Sequence, residues 1–123
     1  MAEIPTVLIV DDEVTVRDML VNMLSLEGIA TETARNGREA LDLLARSGPR
    51  VVLLDLLMPE IDGWGVMRSL NDDPAVRQKH RVILVSAWAN LQRAFDLKPD
   101  GTVSKPFTLD QIIKAISTAA ATM

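Results

Sequence analysis

Five short apolar runs constrain this chain more than any other feature: TVLIV (6–10), IATET (29–33), VVLLD (51–55), RVILVS (81–86) and the weaker GTVS (101–104). Their length and β-branched content mark them as strands. The segments between them have helical spacing instead. Val16, Leu20, Met23 and Leu24 share one face of a first helix, and Ala40, Leu41, Leu44 and Ala45 share one face of a second. A third helix is expected from about Asp62 to Leu70, weakened by Gly65. The last opens at Thr108, a good N-cap, and carries Leu109, Ile112, Ile113 and Ile116. Strands alternating with helices imply βαβ units. The fold expected is therefore α/β: a doubly wound, five-stranded parallel sheet with helices on both faces. SLNDDPAVRQKH (69–80) reads as a helix end and a solvated loop, with His80, the only histidine, facing solvent and without a metal or phosphoryl-donor role. Met19, Met23 and Met67 fall at core-like helix positions.

Composition narrows the functional classes. At 123 residues and 48% hydrophobic, the chain has room for one domain, residues 1–123, around one sizeable core. No apolar run is long enough to cross a bilayer, and MAEIPTVLIV lacks the basic flank and cleavage site of a secretory signal, so a cytoplasmic protein without membrane insertion is expected. The start at Met1, five residues before the first run, argues against an amino-terminal domain, whereas an output domain after Met123 remains open. The absence of cysteine excludes disulfides, thiolate metal sites and cysteine nucleophiles. A formal charge of −4 without a Lys/Arg cluster argues against direct nucleic-acid binding.

The polar residues that interrupt the apolar pattern stand at strand ends. Asp11 and Asp12 follow the first strand, Asp55 ends the third, Ser86 ends the fourth and Lys105 follows the fifth. In an open parallel sheet, ligands gather outside the carboxyl ends of the strands, so the fold would converge these side chains. Three carboxylates in one crevice repel one another and call for a hard divalent cation, most simply Mg2+. A lysine and a hydroxyl beside them suit the oxygens of a transferred phosphoryl group, with one carboxylate attacking phosphorus. Taken singly, each residue has a plainer reading. Asp55 could cap a turn, Asp11 and Asp12 could open a helix, Ser86 could bond local backbone, and Lys105 could be a solvated surface lysine.

Together, VLIVDDE (7–13), VVLLDLLMPEIDG (51–63), VILVSA (82–87) and SKPFT (104–108) make the chain resemble the receiver domains of two-component response regulators, in the family's order and over essentially its whole length. The resemblance, chemotaxis-regulator-like and single-domain, implies the flavodoxin-like strand order 2-1-3-4-5. It implies that Asp55 accepts a phosphoryl group from a sensor histidine kinase or a histidine phosphotransfer protein, and that the chain then switches its binding of a downstream protein. Asp12 would ligate Mg2+ directly and Asp11 mainly through water, joined by Asp55 and the backbone carbonyl of Leu57. Lys105 would pair with the phosphoryl oxygens, and Ser86 would hydrogen-bond them after the switch. Pro106 would follow a cis peptide bond, and Met58, Pro59 and Gly63 would shape the loop after the acceptor. Such a chain is no enzyme in the ordinary sense, since it catalyses only its own phosphorylation and dephosphorylation.

Three positions depart from, or stand out within, that pattern. Thr102 occupies the place of the family's aromatic switch residue, three before the lysine. The segment between Ser86 and Lys105 is shorter than usual, so the fourth helix, roughly Asn90 to Leu97, is expected to be short or irregular and to stop against Lys98-Pro99. Output through an unusual face, or through ordering of that segment, would follow. Trp88, two residues past Ser86, stands where the family tunes the lifetime of the phosphoryl group, and could shield Asp55. The alternatives are a receiver-like module that binds its partner without phosphorylation and the receiver part of a longer transcription regulator. A phosphatase is disfavoured, because Leu57 stands where a second acid would be needed.

Overall fold

Every apolar run becomes a strand, and every strand pair is parallel. The computed structural model describes residues 3–123; Met1, on which the expectation about the chain's start rests, lies outside them. The elements run β1 (Val7–Val10), α1 (Val14–Leu26), β2 (Thr31–Ala34), α2 (Gly37–Arg46), β3 (Val51–Asp55), α3 (Gly63–Asn71), α4 (Pro74–Lys79), β4 (Arg81–Ser86), α5 (Trp88–Ala94), a 3-10 turn (Phe95–Leu97), β5 (Gly101–Ser104) and α6 (Leu109–Ala120). The sheet order is β2-β1-β3-β4-β5. It reverses direction next to β1, which opens a crevice between the loops after β1 and β3.

Alternation along the strands divides the core into two layers. Leu8, Val10, Val52, Leu54, Val82 and Leu84 point to one face and meet Leu44, Val66, Met67 and Leu91 from α2, α3 and α5. Val7, Ile9, Val51, Leu53, Ile83 and Val85 point to the other, against Leu20, Leu24, Ile112 and Ile116 from α1 and α6. Each such fully buried side chain contributes about 2 kcal/mol before the entropy of ordering it is offset. With both faces covered, β3 has no residue to spare for solvent, and Asp55 is buried with the rest of its strand.

Helix starts follow their capping residues. Asn36 accepts from the Glu39 amide, Asp62 from Gly65 and Asp73 from Val76, and Thr108 forms a reciprocal capping box with Gln111. Three expectations need correction here. The stretch 69–80 contains α4, nucleated by Asp73 at the N-cap and Pro74 at the first helical position, where a missing amide costs nothing. His80 does not face solvent: it is fully buried. Its Nδ1 accepts from the Arg50 amide at 3.1 Å, and its Nε2 lies 2.9 Å from the Leu44 carbonyl. Met19 is also out of place, 41% exposed, because Leu20 and Leu24 carry the buried stripe of α1; Met67 is buried as expected.

The fourth crossover is short. α5 starts at Trp88, two residues before the expected boundary, and gives way to the 3-10 turn, which ends at Lys98 with φ 56° in the left-handed region. That end is fastened to the α3–α4 corner. Asn71 donates to the Leu97 carbonyl (2.8 Å), and Arg77 donates to the Lys98 carbonyl (3.1 Å) while pairing with Asp100 at 2.9 Å.

Candidate functional site

The crevice at the carboxyl ends of the strands collects the residues the sequence singled out. Asp11 leaves β1 and is buried, Asp12 beside it is exposed, and Asp55 is the last, buried residue of β3. Carboxylate oxygens of the three lie within 4.8 Å of one another. Lys105, directly after β5, reaches between two of them, with Nζ 3.6 Å from Asp55 Oδ1 and 3.8 Å from Asp11 Oδ2. Its amide donates to the Ser86 carbonyl at 2.9 Å, which ties the loop carrying the lysine to the end of β4. The Ser86 side chain is buried and accepts a long 3.5 Å bond from Asn90 Nδ2.

Neighbouring backbone shapes this arrangement. Asp11 Oδ1 accepts the Glu13 amide at 2.9 Å, and Asp55 Oδ1 accepts the Leu57 amide at 3.3 Å. Neither Asp11 nor Asp12 caps α1: its N-cap is Glu13, which makes no side-chain capping bond. The acids are therefore free of helix-capping duty. Gly63, at the start of α3, donates its amide to the Leu56 carbonyl at 3.0 Å. A Cβ there would lie 2.5 Å from the Asp55 carbonyl oxygen and 2.6 Å from Leu56 Cα, so only glycine lets α3 come this close to the acceptor strand.

Charge in the crevice is unbalanced. Three carboxylates against one ammonium leave a formal charge of −2. Burial pushes the Asp55 carboxyl up to about 6; the Lys105 ammonium opposes the rise and the Asp11 carboxylate adds to it. Burial also raises Asp11, against the Glu13 amide and Lys105. The donor set is all hard oxygen and carries two excess negative charges, which fits a divalent cation of the Mg2+ type.

Other expected positions have defined places. The Lys105–Pro106 bond is cis. Leu57 is 58% exposed. Thr102 lies on β5 opposite Leu84. Trp88 is 54% exposed, and its ring packs edge-on against Phe95 with centroids 6.0 Å apart. The loop-shaping place expected of Gly63 understates it, since its missing side chain sets the contact between α3 and β3. One residue near the site is missed in the sequence. Arg17 donates from Nη1 to the Asp11 carbonyl at 2.6 Å, and nothing in the helical spacing of α1 points to it.

The model of the response regulator receiver domain family matches residues 7–117. This chain belongs to that family. The receiver is 41% identical over 115 residues to the regulatory protein AtoC of Escherichia coli, covering 91% of this chain and 24% of AtoC. It is 33% identical over 113 residues to the sporulation initiation phosphotransferase F of Bacillus subtilis, covering 89% of each. Among solved structures, the signal receiver domain of a signal transduction histidine kinase from Syntrophus aciditrophicus superimposes with a TM-score of 0.87 at 30% identity, covering 96% of this chain and 91% of that one. The chain thus spans about a quarter of the length of one of its curated relatives and nearly the whole of another. It is a phosphorylatable signalling domain of the two-component type, on the five-stranded 2-1-3-4-5 fold. Among the described residues, no helix is long and apolar enough to cross a membrane.

Proposed function

We propose that this receiver takes a phosphoryl group onto Asp55 from a phosphohistidine, carried by a sensor histidine kinase or a histidine phosphotransfer protein, and thereby switches its affinity for a downstream protein. The observation that carries this reading is the Asp55 carboxylate, buried at a strand end within reach of both Lys105 and the Asp11–Asp12 carboxylate pair. Asp55 attacks phosphorus as the phosphorus–nitrogen bond breaks; the new bond is Oδ–P, and the electron pair returns to the imidazole nitrogen. Burial holds the metal-free carboxyl near 6, mostly ionised at neutral pH, and a bound cation would favour the ionised, nucleophilic form further. Lys105 offsets charge on the phosphoryl oxygens, and Ser86 donates its hydroxyl to one of them.

Asp11, Asp12, Asp55 and the Leu57 carbonyl are the groups that would hold Mg2+, which when bound neutralises charge on the phosphoryl oxygens. Trp88 limits water at the phosphoryl group, and Pro106 sets the direction in which the Lys105 loop leaves. Thr102 replaces the aromatic switch, so output relies on the α5 segment rather than on a ring turning inward. The chain acts as one receiver domain over residues 1–123 in the cytoplasm and turns over only its own phosphoryl group. The 24% share of AtoC that it covers favours, as a second reading, the receiver part of a longer regulator with the same chemistry.

Intact-protein mass spectrometry after incubation with acetyl phosphate tests the proposal. One phosphoryl group is expected, requiring both Mg2+ and Asp55 and absent from Asp55→Asn. A folded, cation-binding wild type that stays unmodified by both acetyl phosphate and histidine kinases would turn the reading toward a constitutive binding module.

A further inference from the structure

Arg17 is out of character for its position. It lies in the first turns of α1, where the helix macrodipole disfavours a cation, and its own amide already serves the helix by donating to the Glu13 carbonyl at 3.0 Å. The side chain is half-buried and reaches back six residues to the main-chain carbonyl of Asp11, at 2.6 Å. It makes no ion pair with the crevice acids among the described residues, unlike Lys105. Its effect there is on geometry, not on charge balance.

The carbonyl it holds belongs to the peptide that joins Asp11 to Asp12. That unit is planar from one Cα to the next, so fixing its oxygen fixes the direction in which both residues leave it. Asp11 has other restraints: its amide donates to the Ala34 carbonyl at 3.2 Å, and its carboxylate accepts from Glu13. Asp12 has none of this kind, since among the described residues no side-chain hydrogen bond orients it. We infer that Arg17 is a positioning residue, whose guanidinium locks the Asp11–Asp12 peptide and so holds the two carboxylates in the orientation that a divalent cation requires. The inference rests on the reading of the crevice as a cation site. Loss of a group that orients ligands without touching the metal commonly weakens affinity about 10- to 100-fold.

The test uses the full chain with Mn2+, a hard, oxygen-preferring ion whose free concentration is counted by electron paramagnetic resonance. Arg17→Ala is expected to raise the Mn2+ dissociation constant about tenfold, and Arg17→Lys, which keeps a donor of similar length, to recover part of that loss. Urea unfolding in chelator gives the folded fraction of each variant, and affinities are corrected for it. A loss that vanishes on correction would make Arg17 merely structural and overturn the inference. So would equal affinities for wild type and both variants. A wild type that binds no Mn2+ overturns the cation site itself and this inference with it, whereas wild-type binding left intact in Arg17→Ala overturns only the latter.

Discussion

The two ends of the sheet both bury titratable groups, and they treat them in opposite ways. At the amino end His80 is 0% exposed with both ring nitrogens matched: the Arg50 amide donates to Nδ1, so Nε2 carries the proton and donates to the Leu44 carbonyl. The ring is neutral, satisfied and inert. At the carboxyl end, Asp11 and Asp55 are 3% and 5% exposed and share one ammonium at 3.8 and 3.6 Å, beyond hydrogen-bond length. Burial by itself therefore says little about function. A buried group whose partners match it in number and charge holds the fold together, whereas a cluster left with excess charge is poised for a ligand.

Removing Lys105 should disturb this contrast most. Lys105→Ala takes the only ammonium from the three carboxylates, and the rate of phosphoryl addition from acetyl phosphate, followed by mass spectrometry, should fall about 100- to 1,000-fold. A fall under about tenfold would move the charge stabilisation to another group.

The next largest effect is on stability without metal. Asp55 is raised from the ordinary carboxyl value to about 6 in the folded chain, so protonation stabilises the fold; that contribution is complete below about 4 and is lost as pH rises through 6. Asp55→Asn should accordingly be more stable than wild type in urea at pH 8, by up to about 3 kcal/mol, with the gap closing toward pH 4. Equal stabilities at pH 8 would mean that Lys105 already neutralises the carboxylate.

His80 should give the opposite slope. Burial, helped by the cations Lys79, Arg50 and Arg77, lowers its value below the usual one of about 6.5, despite the bond to Leu44. The stability of the neutral ring is full above about 6.5 and is lost as pH falls through the depressed folded value. His80→Ala should cost about 2 kcal/mol at pH 7.5 through two lost buried hydrogen bonds and remove that acid loss, while the folded variant accepts phosphoryl at the wild-type rate. A changed rate would show that the two ends are coupled. Smallest is Glu32→Ala, which breaks the partly exposed 2.6 Å pair with Arg50 beside His80. Urea unfolding should register less than about 1 kcal/mol.

What the sequence revealed and what it hid follow the range of the interactions involved. Asp55 was legible because a strand's alternation and its polar end are local, and parallel-sheet topology does the rest. The early stop at Lys98-Pro99 was equally local, and the short α5 agrees with it. α4 was readable in principle, since Asp73-Pro74 is an N-cap followed by a favoured first helical residue, but the surrounding charges suggested a loop. His80 was not readable. Its partners lie 30 and 36 residues away, just before β3 and near the end of α2, and no window around it contains them. Arg17 was hidden for another reason: its target is a main-chain carbonyl, which every residue has.

Gly63 has a mechanical consequence. A joint that carries a side chain has something soft in it, a rotamer that can turn or a methyl that can yield. Where Gly63 meets the acceptor strand, the Asp55 carbonyl and Leu56 Cα leave room for not even one added carbon, and Leu56 Cδ2 closes the remaining side. A carbonyl moving toward α3 would therefore meet backbone almost at once, so the start of the helix has to move with it or the contact is strained.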